Sequence, residues 1–351
     1  MDIMKLQKLA RMISLLTVTA TVTALVPAGK VQAEEIRSVY TNEVISQEQA
    51  LTRPIAVMMP TDKVAQPSYG ISHAKILYEI MEEGDISRQM AVIDDWQGLS
   101  KIGNIRSCRA YYIPQATEWD PILIHFGGVV YMKDRISLPD INNISGTYEY
   151  GVGGAAPGAG AFFRTSDRKA PHNAYISGNG IVKAAGQQGY SLTIRPEFYN
   201  AKHFTFAEGV NTLEQYGEAA ATANNIDLSQ IFPYTKSAFA YDPSTGLYNK
   251  TIHGKAHVDG ANGQQLAFAN VIIQNTKWDK LDKKGYLSFQ NLDNTEDGYY
   301  FTKGKVIHVT WAKVAEYSPT VYFDDNGNEI QLNEGKTYIA IAQKDRKVNF
   351  S

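Results

Sequence analysis

The chain holds a single cysteine, Cys108, in 351 residues. No intramolecular disulfide is available, so the fold must rest on core packing, which a chain of this length can supply. An excess of basic residues is also missing. There are 34 Lys and Arg against 36 Asp and Glu, for a net charge of −2. Duplexes are bound by neutralising phosphates, so nucleic acid is not an expected partner. No GxxxxGK[ST] motif and no strand-GxGxxG-helix context occurs, which argues against a nucleotide fold. The 7 histidines show no HExxH and no Cys/His ligand spacing, and His253 and His257 have few carboxylates near them in sequence. No metal and no cofactor is expected. Past the N-terminus there is no long apolar run, so the mature chain is expected to have no transmembrane segment.

What is present starts with an export signal. Lys5, Lys8 and Arg11 precede a modest apolar stretch over 12–26, and Val31-Gln-Ala33 offers small residues to a signal peptidase. Cleavage is expected after Ala33. It removes four basic residues and one acidic residue, taking the net charge from −2 to −5. No cysteine lies near Ala33, which predicts a chain without a lipid anchor. Residues 34–52 are polar and mixed, and read as a flexible lead-in.

The pattern then divides. Residues 53–59 form an apolar run between prolines and read as a buried strand, as do 88–94 and 122–126. Ser72 is placed to cap a helix through Glu83, with Ile76/Ile80 and Leu77/Met81 at i,i+4 and Gly84 as its stop. Ser107 is placed to cap a second helix from Cys108 to about Glu118, shortened by Pro114. Residues 142–161 carry Gly146, Gly151, Gly153, Gly154, Gly158 and Gly160, as a long functional loop would. Further helical patterns cover 178–190 and 213–223. From about Phe239, short alternating segments are separated by Asp259-Gly260, Lys303-Gly304 and Asp325-Asn-Gly327, the texture of an antiparallel β region. The expected fold is mixed α+β: an α/β domain over 53–235, then a β-rich antiparallel domain over 236–345.

One stretch concentrates chemistry. Arg106, Ser107, Cys108 and Arg109 precede the apolar run that delivers His125 and then Gly127-Gly128. Ligands in open α/β sheets sit at that end of the strands. Arg106 and Arg109 suit a carboxylate or phosphate, unless they pair with Glu79, Glu82, Glu83 or Asp85. Arg164, Arg168 and His172 add cationic character, and Asn173 and Tyr175 add neutral hydrogen-bonding groups. The expected ligand site is Arg106, Ser107, Arg109, His125, Gly127, Gly128, Arg164, Arg168, His172, Asn173 and Tyr175. Catalysis would need Cys108 as a thiolate, or His125 with Glu79 as its carboxylate; the bland reading of Cys108 is a buried small hydrophobe.

Several stretches, in order, carry a family resemblance. They are Arg53-Pro-Ile-Ala-Val-Met, Ser72-His-Ala-Lys-Ile-Leu-Tyr-Glu79, Ile102-Gly-Asn-Ile-Arg-Ser-Cys-Arg109, His125-Phe-Gly-Gly128 and Pro171-His-Asn-Ala-Tyr175. Later come Asp259-Gly-Ala-Asn-Gly-Gln-Gln-Leu266, Gly304-Lys-Val-Ile-His-Val-Thr-Trp311 and Asp325-Asn-Gly-Asn-Glu-Ile-Gln-Leu332. In these the chain resembles the YerB-like family, Gram-positive cell-envelope lipoproteins built on a domain of unknown function. The resemblance implies a two-part fold exported to the envelope and names no activity. Members usually have a lipid-modified cysteine after the signal and alanine where Cys108 stands. The first departure agrees with a chain lacking an anchor; the second counts against an essential thiol.

Three readings follow. One is a secreted, cell-wall-associated protein that binds a peptidoglycan-type or other anionic ligand in the Arg/His pocket without turnover. Another is an envelope hydrolase or acyltransferase using Cys108 or His125. The third is an interaction module docking on an envelope protein through its C-terminal β edge.

Overall fold

Short runs of Val, Ile, Met and Tyr that are apolar on both faces settle best in the middle of a sheet. Here they build one sheet of 11 strands. From edge to edge the main path runs Val321–Phe323, Lys305–Lys313, Asp293–Thr302, Asn270–Thr276, Thr337–Gln343, Ile76–Met81, Ser87–Ile93, Ile55–Pro60, Ile122–His125 and Asn143–Ser145. The short strand Ala221–Thr222 adds to Lys305–Lys313. The computed structural model describes residues 35–147 and 160–351. The expected export signal, and the glycine-rich stretch from Gly151 to Gly158, lie outside the described residues.

The expected strands at 53–59, 88–94 and 122–126 are present as Ile55–Pro60, Ser87–Ile93 and Ile122–His125. Ile55–Pro60 pairs antiparallel with Ser87–Ile93 and parallel with Ile122–His125. The helix expected over 72–83 is instead the strand Ile76–Met81, buried at all six positions. The i,i+4 apolar pairs there come from an unbroken apolar segment, which has no period to read. Ile76–Met81 pairs antiparallel with Ser87–Ile93 and parallel with Thr337–Gln343. The C-terminal third is therefore not purely antiparallel: Thr337–Gln343 also runs parallel to Asn270–Thr276. Its central strand closes the sheet between the two halves of the chain.

The other helices are short. Cys108–Glu118 is not one helix. A 3-10 turn, Ala110–Tyr112, leads into Ile113–Thr117 with Pro114 in its first turn. Ser107 caps neither, and its hydroxyl donates to the Phe126 carbonyl at 3.1 Å. The helical pattern at 213–223 resolves into a kinked 3-10 segment, Glu214–Ala219, and the strand Ala221–Thr222. The helix expected at 178–190 forms as Gly178–Gln188. Ser177 accepts from the Gly180 amide, Gly189 ends it at φ +70°, and Ile181, Ala184 and Ala185 face the core. The expected flexible lead-in is packed: Tyr40 lies against the Trp119 ring at 5.3 Å, and Thr41 is fully buried. Its apolar ring outweighs the polar texture around it.

Smaller sheets flank the main one. Ala238–Asp242 and Leu247–Ile252 centre a six-stranded sheet. Ile102–Gly103, Ala174–Ile176 and Phe162–Arg164 form a three-stranded one. Trp278–Lys280 and Leu287–Phe289 make a separate hairpin. The architecture is mixed α/β and dominated by strands. Among the described residues no helix is long and apolar enough to cross a membrane.

Candidate functional site

Ile55–Pro60 and Ile122–His125 are in parallel register only over Ile55–Val57 and Ile122–Ile124. Past that point segment 105–108 fills the gap between them. The Arg106 amide donates to the Met58 carbonyl, the Phe126 amide to the Arg106 carbonyl, and the Cys108 amide to the Gly127 carbonyl. The Ile105 amide donates to Ala174 on the three-stranded sheet. Arg106 is thereby held where two parallel strands end, the general position of α/β ligand clefts.

The Arg106 side chain is half-buried and its Nη1 lies 3.1 Å from His172 Nδ1. A guanidinium only donates, so the imidazole accepts and is neutral there. Burial lowers the His172 pKa, and Arg106, Arg168 and Arg88 lower it further against Asp62. Burial and the neighbouring Arg88 also pull Arg106 down. Arg168 donates to the Ala65 carbonyl, and Asn104 ties Ala65 to the His172 carbonyl. Arg88 is buried, bound to the Ser107 carbonyl at 2.8 Å and to Glu82 at 2.8 Å. Three buried polar atoms bordering this cluster have no hydrogen-bond partner among the described residues: Arg88 Nε, Glu82 Oε1 and Asp62 Oδ2.

Other expected site residues have different work. His125 is sealed in: Nδ1 lies 2.8 Å from the Gly127 carbonyl and Nε2 3.2 Å from Asn143 Oδ1, and burial lowers its pKa. The cations gather around His172 instead. His125 lies on a strand buried at every position, so its ring is closed to solvent. Gly127 takes φ +78°, which glycine adopts without strain. A Cβ on Gly128 would lie 2.1 Å from Met132 Sδ, so its bareness serves packing. Arg109 pairs with Glu83 and lies 3.5 Å from Glu82. Burial alone would lower its pKa; those two carboxylates raise it. Arg164 donates to Asn173 at 2.7 Å on an exposed edge. Tyr175 is buried, with Lys101 4.1 Å from its ring centre.

The two catalytic expectations are corrected. Cys108 is fully buried, and burial pushes its thiol up to about 12 against the opposing Arg109 charge. No thiolate is available at neutral pH. Glu79 does not meet His125. It sits 3.2 Å from Lys250 and accepts hydrogen bonds from Ser87, Gln89, Ser237 and Tyr338. Burial raises its pKa, but Lys250 and these donors outweigh that and hold it at about 2. Among the described residues no three His, Cys, Asp or Glu side chains come together as a metal site would need.

Sequence reasoning missed Arg88, Asp62 and Lys250. Arg88 carried a signal, being a cation opening an otherwise apolar strand. Asp62 carried none, because the turn after Pro60 reads as ordinary polar loop.

Residues 40–191 match the N-terminal domain, and residues 228–339 the C-terminal domain, of a family described as protein of unknown function DUF3048. The chain is 26% identical over 304 residues to "Putative lipoprotein YerB" of Bacillus subtilis (strain 168), covering 87% of this chain and 83% of that protein. The crystal structure of the Bacillus subtilis YerB protein shares the fold, with a TM-score of 0.74 at 24% identity, over 90% of this chain and 100% of that one. One expectation is overturned by this relative. It is named a lipoprotein, a name that implies a lipid anchor, so the missing cysteine near Ala33 does not support a chain without one. With both domains matched in order and the fold shared, the chain belongs to the YerB-like family built from the DUF3048 N-terminal and C-terminal domains.

Proposed function

We propose that this chain is an exported, envelope-associated protein that binds an anionic ligand of the carboxylate or phosphate class, of the kind peptidoglycan carries, without turnover. The proposed site is the cluster of Arg106, Arg168 and His172. One observation carries the reading: the half-buried Arg106 guanidinium has a neutral imidazole as its side-chain partner, and no carboxylate oxygen among the described residues lies within 4.0 Å of it. Half-buried guanidiniums are normally paired. An anion there would gain charge-assisted hydrogen bonds from Arg106, with Arg88 and Arg168 adding attraction. The buried Cys108 and enclosed His125 support binding over catalysis. Envelope association rests on the lipoprotein name of the relative, and export on the signal ending at Ala33.

Retention on purified cell wall and calorimetric titration with inorganic phosphate test this. Arg106→Ala and His172→Ala are each expected to weaken binding roughly tenfold or more, the loss of one or two charge-assisted bonds. Binding unchanged in both variants would sink the proposal.

A further inference from the structure

The hairpin Trp278–Lys280 and Leu287–Phe289 stands apart from the main sheet, and its base is fixed. Trp278 Nε1 donates to Asp345 at 2.6 Å, Leu287 and Phe289 are buried, and the Phe289 ring meets Tyr111 edge-on at 4.9 Å. Its tip, residues 280–286, reads Lys-Leu-Asp-Lys-Lys-Gly-Tyr. The one acid within the tip is engaged at the surface. Asp282 Oδ1 accepts from the Lys284 and Tyr286 amides, and Oδ2 accepts from the Tyr131 hydroxyl at 2.9 Å. That last bond, with the Tyr131–Tyr286 ring contact at 5.8 Å, joins the tip to the turn Val130–Met132.

The joined surface combines two features. Leu281, Val130 and Tyr131 are exposed, at 43%, 66% and 42%. Around them Lys133, Lys280, Lys283 and Lys284 are exposed, and none has a carboxylate oxygen within 4.0 Å among the described residues. Lys277, at the hairpin base, is by contrast paired with Asp293 and Glu296. Beneath the tip an open groove of about 430 Å³ is lined by Leu281, Leu287, Phe289 and Leu292 among others. Four lysines stand here against Asp134, Asp279 and Asp282, a small cationic excess in a chain of net charge −2, and Asp282 is engaged by its own turn and by Tyr131.

We infer that this tip is a docking surface for an anionic lipid bilayer. Lysines at a membrane surface are attracted by acidic headgroups, and exposed Leu, Val and Tyr side chains enter the headgroup boundary beside them. An anionic polymer would engage the lysines alone and leave the apolar apex in water. This surface shares no residue with the Arg106 cluster and does not depend on it.

Co-sedimentation of the full chain with vesicles tests it. Vesicles of phosphatidylcholine with about one third phosphatidylglycerol are compared with pure phosphatidylcholine, at low and high salt. Binding is expected on the acidic vesicles only, and to fall with salt. Each lysine contributes about fivefold, so K280Q/K283Q/K284Q is expected to lower partitioning roughly a hundredfold. Val130→Ser with Leu281→Ser is expected to lower it about tenfold. All these side chains are exposed, and an unchanged thermal melt checks the fold. Any of these results would overturn the inference: no binding by the unmodified chain, equal binding to neutral vesicles, or equal binding by the lysine variant. The last would assign any membrane affinity to another part of the chain. Capture by an anionic wall polymer that the serine variant leaves intact, with no vesicle binding, also overturns it.

Discussion

Two polar clusters lie close to the same central strands, and they are finished differently. Around Glu79 a carboxylate and an ammonium are enclosed with Ser87, Gln89, Ser237 and Tyr338, and each carboxylate oxygen has donors. Around Arg106 three cations and one imidazole gather with few acids, and buried atoms at the border stay unpartnered. The first draws its residues from both halves of the chain and joins them. The second is drawn from residues 62–172 and leaves donor capacity unused. Polar residues of similar kind thus enclose a carboxylate with its counter-charge and donors in one place, and in the other leave a guanidinium with no acid within 4.0 Å among the described residues, the ground of the proposed binding.

The sharpest way to break this contrast is to remove one member from each. Glu79→Ala strands the buried Lys250 charge and is expected to cost about 3–5 kcal/mol in denaturant unfolding. Arg106→Ala is expected to cost under about 1 kcal/mol. Comparable losses would mean that the Arg106 cluster holds the fold together too.

Acid sharpens the comparison next. His125, His203 and His257 are fully buried, and burial lowers all three, His203 to about 4 and His257 to about 3. The unfolded chain therefore takes up their protons first, near pH 6.5. Stability that is complete above that value is lost as pH falls towards the folded values, at about 1.4 kcal/mol per pH unit for each histidine. Glu79, held at about 2, adds its own loss only below the usual carboxylate range near 4. Chemical denaturation in a pH series should show weakening from about pH 6. A flat profile down to the carboxylate range would contradict the enclosed histidines. The smallest expected signal comes from Cys108: iodoacetamide at neutral pH should alkylate the native chain roughly a thousandfold more slowly than the unfolded one. Rapid native labelling would mean that segment 105–108 opens.

The elements that could be read from sequence were those bounded by punctuation. Ile55–Pro60 is fenced by prolines, and Val321–Phe323 and Lys305–Lys313 are flanked by turn residues. The pattern over Ile76–Met81 misleads because an unbroken apolar run fits a buried helix and a buried strand equally. Arg106, Arg168 and His172 were legible as cations near a strand end. That they surround His172 and not His125 depends on the sealing of one strand, which neighbours impose. The Glu79–Lys250 pair was not legible, since the contact is made across sheets by residues remote in sequence.

The parallel pairing of Ile76–Met81 with Thr337–Gln343 has a consequence for how the chain matures. The strand that occupies the sheet's centre is made after every other strand of that sheet. Until it arrives, Ile76–Met81 and Asn270–Thr276 each present a bare apolar margin, open to mispairing with another chain. Ending the chain before residue 337 would leave two half-sheets with nothing between them.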